Sequence, residues 1–166
     1  MNLEQNRLSR NVSRVNRLPS AVAVFARSRM MGSLVKFVGT AGVRIEELTE
    51  ERCVATLANA AKVQNHIGGI HAAAMALLAE TATGFVVGMN VPDDRIPVIK
   101  RMTVNYIKRA KGDLRAEATL SCEDRERMRT DEKGEVAVNV VVTDGANVEP
   151  IRCEMIWAWT GKRRSP

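Results

Sequence analysis

Three polar residues interrupt an otherwise apolar stretch in the middle of this 166-residue chain: Asn65, His71 and Glu80. Glu80 is the unusual one. A carboxylate inside an apolar helix is costly unless it is paired or protonated. Such a group is either held by a structural partner or has a shifted pKa, the property of a general base or nucleophile. His71 falls in the first turn of the helix, where a structural role is the default. Asn65 precedes the helix, a position common for turn and cap chemistry.

The element that must position them is one long helix, expected over Ile70–Met89. Its run from Ala72 to Ala79 is apolar on every face, so the helix should be covered all round. A membrane span over Gly68–Met89 fits poorly, because that stretch carries His71 and Glu80. Ala72 and Glu80 are eight residues apart, about 12 Å along a helix. Amides at a helix start can polarise an acyl oxygen. Glu80 of the same chain cannot reach that oxygen, but a second, antiparallel copy of the helix could supply it. One site made from these residues would then be shared between two subunits.

The flanking segments read as strands. Val43–Thr49 and Arg52–Leu57 are two short strands around a turn at Glu50. Val98–Lys108 is a third, with Met102, Val104 and Tyr106 on one face. After a turn at Gly112-Asp113, Leu114, Ala116, Ala118 and Leu120 alternate with polar residues, the period of a half-buried strand. Val136, Val138, Val140 and Val142 alternate again. Ile151–Thr160 closes the sheet, with Cys153, Met155, Trp157 and Trp159 on one face. Glu123–Lys133, ionic at nine of its eleven positions, is expected to be a solvated loop. The fold class is α+β: an antiparallel sheet wrapped around one central helix. Residues 1–34 form a basic N-terminal helical arm and 35–166 the main domain. In the arm one helix is expected over Leu3–Leu18 and another from Pro19 to about Met31, before Gly32.

The formal net charge of +6 invites a polyanion-binding reading, and its distribution argues against a body-wide surface and confines that reading to the N-terminal arm. The first 45 residues hold eight basic side chains against Glu4 alone, a local +7 that leaves −1 for the rest. Aromatic residues are 4% of the chain, too few for base-stacking platforms, so no nucleic-acid partner is expected. The arm reads as a helix packed on the body. Attachment to an anionic membrane surface is the sharper alternative, and the apolar face is thin for it. Cys53, Cys122 and Cys153 are far apart, odd in number and in no C-x-x-C pattern. Reduced thiols in a cytoplasm follow, with no disulfide framework and no metal site.

The stretch N65-H-I-G-G-I-H71-A-A-A-M-A-L-L-A-E80 resembles the hotdog-fold acyl-CoA thioesterases of the phenylacetate-pathway type. Their pattern is an Asn, a His-Gly-Gly six residues later and an acidic residue nine after that His. N105-Y106-I-K-R-A110-K-G112-D113 looks like the family's Tyr, Pro-Ala, Gly-Asp strand and turn. The likeness covers roughly residues 35–160 and is closest to an uncharacterised bacterial branch with an N-terminal helical extension. It implies a hotdog fold and a homodimer, or dimer of dimers, with shared active sites. Glu80 would be general base or nucleophile, and the N–H near Ala72 would polarise the carbonyl. Asn65 would position water or the acyl group, with Gly68 and Gly69 in the substrate loop. His71 would orient that loop. Lys108, Arg109 and Lys111, with Arg101, would meet the phosphates of coenzyme A, which enters as part of the substrate and not as a separate cofactor.

This chain departs from the pattern at several places. His-Gly-Gly is His71-Ala72-Ala73, the usual Asp is Glu80, Arg109 stands where Pro is common, and apolar Ile99 stands where a Ser or Thr often helps. Two other readings compete. A hotdog hydroxyacyl-thioester dehydratase uses a His and a Glu fourteen residues apart, as His66 and Glu80 are, although the usual Pro-rich loop is missing. A non-catalytic acyl-thioester-binding module would keep the pocket without turnover.

Overall fold

The computed structural model describes residues 6–162. The arm holds three helices, α1 (Arg7–Val15), α2 (Ser20–Leu34) and, past the expected boundary at residue 34, α3 (Lys36–Ala41). Two strands follow, β1 (Arg44–Leu48) and β2 (Arg52–Leu57), and then a short 3-10 turn at Ala61–Val63 leads to the long helix α4 (Ala72–Gly88). The chain finishes with β3 (Arg95–Tyr106), β4 (Leu114–Thr119), α5 (Cys122–Thr130), β5 (Gly134–Asp144) and β6 (Ile151–Gly161). The expected start of the first helix at Leu3 lies outside the described residues.

All six strands join one antiparallel sheet in the order β1-β2-β4-β5-β6-β3. Strand β5 divides its partners: Asn139–Asp144 pairs with β4 and Gly134–Val138 with β6. That division lets the sheet curl, and α4 lies in the curl. The expected alternation holds: Leu114, Ala116 and Ala118, Val136, Val138 and Val142, and Met155, Trp157 and Trp159 are all buried. The sheet approaches α4 closely. A Cβ on Gly84 would come within 2.7 Å of the Trp157 ring. Trp157 Nε1 donates to Thr83 Oγ1 at 2.9 Å, which pins the indole to the helix.

Cover on α4 is uneven, contrary to the sequence expectation. Its second half is buried, whereas Ala72 and Ala73 are exposed and Ala76, Leu77 and Glu80 are half-buried. The reason is that β3, the last strand of the sheet, pairs only with β6 and has one free edge. The helix is 17 residues long, and among the described residues no helix is long and apolar enough to cross a membrane.

Three local expectations need correcting. The segment after β4 is a helix, not a solvated loop. Ser121 caps it by accepting from Asp124 N at 3.0 Å. Glu123 and Asp124 occupy its first turn and Arg127 and Arg129 its last, complementing the helix dipole. Met128, the one apolar residue of the charged run, is fully buried and anchors it. Helix α2 runs through Gly32 to Leu34 instead of stopping before the glycine. Gly32 is there because α3 crosses it: a Cβ on Gly39 would lie 2.6 Å from Gly32 O. Helix α3 itself was not foreseen, because six residues are too few to carry a periodic signal.

Several polar side chains fasten the arm to the body, and Asn6 joins it to the end of α4. Asn6 Oδ1 accepts from Ser9 N at 2.8 Å and so caps α1. Its Nδ2 donates to Gly88 O at 2.7 Å and Val91 O at 2.6 Å, at the end of α4. Behind it Val12 is fully buried. Arg27, also buried, donates to Asn16 Oδ1 at 2.7 Å and to the carbonyls of Ile45 and Glu46, so part of the arm's charge is structural. Replacing Asn6 by Ala removes a cap and orphans buried carbonyls. The expected loss is about 1–3 kcal/mol in a denaturant melt, with amide exchange rising in both α1 and the last turn of α4.

Candidate active site

The loop 64–71 is shaped by its own backbone. Gly68 has φ +74, a left-handed conformation that suits glycine. Asn65 Oδ1 accepts from Ile67 N at 3.1 Å and Gly69 N at 3.2 Å, and Asn65 N donates to Gly69 O at 2.8 Å. Asn65 therefore does turn chemistry through its oxygen, while its Nδ2 makes no hydrogen bond among the described residues. Asn59 Nδ2 donates to Gly68 O at 3.2 Å, and Arg109 donates to Ile67 O at 3.0 Å from the far side.

His71 is the N-cap of α4, one position before the first turn in which it was expected. Its Nδ1 accepts from Ala73 N at 3.0 Å, an assignment that puts any ring proton on Nε2. His71 O accepts from Ala74 N and Met75 N. The Ala72 N–H, exposed and pointing out of the helix start, has no partner among the described residues. Tyr106 holds this end of the helix against β3, its hydroxyl donating to Ala72 O at 2.9 Å.

Glu80 is on the same helix, about 12 Å further along. Its carboxylate is half-buried and makes no hydrogen bond or ion pair among the described residues. Burial, unopposed by any partner, raises its pKa above the ordinary carboxylate value. It stands on the wall of a cavity of about 300 Å³ between α4 and the arm. Next to it, Thr81 Oγ1 is buried with no hydrogen-bond partner.

The structure thus gathers Asn65, Gly68, Gly69, His71, Ala72 and Arg109 at one end of α4 and leaves Glu80 two turns away. Lys108 and Lys111 are exposed beside Arg109, the latter donating through its backbone N to Asp144 Oδ2 at 2.9 Å. Arg101 is elsewhere. It pairs with Glu154 at 3.1 Å, and seven steps along β3 and the following loop, about 23 Å of extended chain, separate it from Lys108. The dehydratase candidate His66 is exposed in the 65–69 loop. Burial pushes the Cys53 thiol up to about 12 and Cys153 to about 11, so neither is an activated nucleophile. Among the described residues, no three His, Cys, Asp or Glu side chains converge as metal ligands.

Sequence reasoning missed Thr81, Trp157, Gly84 and the arm residues Leu8, Leu34 and Val38, all of which line the Glu80 cavity. For Gly84 and Thr81 the signal was present, since they follow Glu80 by four residues and one on the same helix. Nothing in the sequence placed the arm there.

A family profile described as Domain of unknown function (DUF4442) matches residues 25–159. No curated protein matches the sequence. Among solved structures, a protein of unknown function and probable thioesterase from Pseudomonas aeruginosa, PA5026, is 26% identical with a TM-score of 0.74, covering 87% of this chain and 97% of that one. Thioesterase HI1161 from Haemophilus influenzae is 16% identical with a TM-score of 0.61, over 75% of this chain and 82% of that one. The thioesterase enzyme SAV0944 from Staphylococcus aureus, seen as a glutamine-to-alanine variant, is 19% identical with a TM-score of 0.64, over 76% and 99%. At the last two identities the likeness is one of fold. The curled sheet around α4, the loop before it and these matches together make the chain a member of the DUF4442 family, built on the hotdog fold of thioesterase-like proteins.

Proposed function

We propose that this protein is a thioester hydrolase acting on an acyl group carried by coenzyme A or an acyl carrier. The observation that carries the reading is the division of α4: an unpartnered N–H at Ala72 and an unpartnered, desolvated carboxylate at Glu80. In a working site, Glu80 takes a proton from water, and the water oxygen bonds to the thioester carbon. The Ala72 N–H, at the positive end of the helix dipole, stabilises the oxyanion. The C–S bond then breaks, and the thiolate leaves and is protonated. Asn65, through its free Nδ2, orients the water or the acyl oxygen. Lys108, Arg109 and Lys111 meet the phosphates of the carrier, with Arg109 also tying their loop to the substrate loop. The Staphylococcus aureus protein has been crystallised with alanine replacing a glutamine and, separately, a glutamate fifteen residues later. Asn65 and Glu80 have the same spacing.

The two halves are too far apart to act on one carbonyl within a chain, so the site needs a second copy. Strand β3 supplies the means. It has a free edge, and Ile99, Met102 and Tyr106, on its helix-facing side, are substantially exposed. Pairing two β3 edges antiparallel satisfies their backbone groups and covers those side chains. It also brings the open half of each α4 against the other, placing Ala72 of one copy near Glu80 of its partner.

A panel of acyl-CoA thioesters with a free-thiol readout tests the reading. Turnover by the wild type, lost in Glu80→Ala, supports it. Hydration of an enoyl thioester would favour the dehydratase, and affinity without turnover a binding module.

The shared site has its own test. Proline is tolerated at the first helical position, so Ala72→Pro removes the N–H while keeping the helix. The expected loss in kcat is on the order of 100- to 1,000-fold. After subunit exchange, an equal mixture of Ala72→Pro and Glu80→Ala should recover about one quarter of wild-type activity, because each mixed dimer has one intact site. A mixture as inactive as its parts would exclude sharing.

Ionisation of Glu80 sets a pH signature. Its carboxyl is raised in the folded state, so the native protein binds the proton more tightly than the unfolded chain. Folding stability should therefore fall as pH rises from the unfolded pKa through the raised folded one, then level off. Turnover should rise over the same range. Glu80→Gln should lack that stability loss, melt higher than wild type at neutral pH and be inactive.

A further inference from the structure

The cavity beside Glu80 is built by two parts of the chain that the catalytic reading does not connect. Positions 80, 81, 84, 85 and 88 form one face of α4, and this face is the cavity's inner wall. Trp157 and Pro97 of the sheet form a side. The outer wall is the arm: Leu8 of α1, with Leu34, Val35 and Val38 from the junction of α2 and α3. From Glu80 to Gly88 the cavity runs about 12 Å along the helix. Its volume of about 300 Å³ has room for on the order of eight to ten methylene-sized groups.

We infer that the N-terminal arm is the length-determining wall of an acyl-chain pocket, which accepts an unbranched, medium-length aliphatic chain. This rests on the proposed thioesterase reading, because it takes the reacting carbonyl to lie at Glu80. Three observations support the occupant. The cavity begins at the half-buried carboxylate and is otherwise lined mainly by apolar side chains. Its α4 wall runs lengthwise from Glu80 to Gly88, a span that suits an extended chain. The charged groups at its far end are already engaged, so they do not call for a second charge on the acyl tail. Asp93 accepts from Arg7 N at 3.0 Å, Lys162 Nζ donates to Asp93 O at 2.5 Å, and Arg95 donates to the carbonyls of Met128 and Asp131. Leu8 and Gly88 face each other on the pocket's walls: a Cβ on Gly88 would lie 3.3 Å from Leu8 Cδ2, so bulk added at Gly88 takes up pocket space.

The test changes the pocket in both directions. Gly88→Val adds bulk opposite Leu8, Leu8→Ala removes bulk, and Leu34→Trp adds bulk to the outer wall from an exposed position. Each is assayed on straight-chain acyl-CoAs from butyryl to palmitoyl. Calorimetric titration of each with decanoate gives a second measurement that needs no turnover. The wild type should prefer chains of about eight to ten carbons. Gly88→Val and Leu34→Trp should lower the decanoyl-to-butyryl ratio of kcat/KM by about fourfold for each methylene excluded, and weaken decanoate in parallel. Leu8→Ala should move the preference to longer chains. Thioester cleavage with the same chain-length profile in all three variants would overturn the inference and leave the hydrolase reading standing. If the wild type cleaves no thioester, the hydrolase reading fails by itself. Decanoate binding that the filling variants weaken would then still support the pocket, and absence of saturable binding, or binding that none of the variants changes, would overturn it.

Discussion

The organisation of this protein follows from the need to satisfy the two ends of one largely buried helix. A helix leaves backbone groups unbonded at each terminus, and a terminus inside a protein must find partners for them. At the C-terminal end of α4 that need is fully met by amides. Asn90 Nδ2 donates to Val86 O at 2.9 Å, and Asn6 Nδ2 takes the carbonyls of Gly88 and Val91. The N-terminal end is capped by His71 but keeps the Ala72 N–H open. One end is therefore closed and structural, and the other is left able to receive an anion or a polarised oxygen. The arm's first cap residue is also the stopper of the central helix.

Glu80 gives the second tension. An apolar residue there would suit the packing better, because nothing among the described residues compensates the carboxylate. Its desolvation costs stability, a cost that the proposed catalytic role would explain. Thr81 repeats the pattern on a smaller scale with a hydroxyl that its helix does not engage, whereas Thr83, two residues on, bonds back to the helix and to Trp157.

The features legible in the sequence were those with a period or a charge out of place. Alternating valines and alanines defined the strands to within a few residues, and an apolar run defined α4. Glu80 stood out because it interrupted that run. The features that were hidden depend on contacts between distant segments. Gly32 looked like a helix stop and is instead a crossing point with Gly39. The charged run after β4 looked solvated, yet its end caps and the single buried Met128 make it a helix. Arg101 looked like part of a basic cluster, and its place within β3, where it pairs with Glu154, is well apart from Lys108. The share of Leu8 and Leu34 in the cavity beside Glu80 was invisible, since more than forty residues separate them from it in the chain.

Trp157 has a use beyond packing. Its indole lies against Gly84, borders the cavity, and is fixed by a single hydrogen bond to Thr83. The other tryptophan, Trp159, donates to Asp131 O at 2.9 Å instead and is not among the residues lining that cavity. The two indoles therefore experience different surroundings. Replacing water by hydrocarbon beside Trp157 changes the polarity at one ring while leaving the other as an internal reference. The chain thus carries its own optical reporter of what occupies the space next to Glu80, without a label and without chemistry taking place.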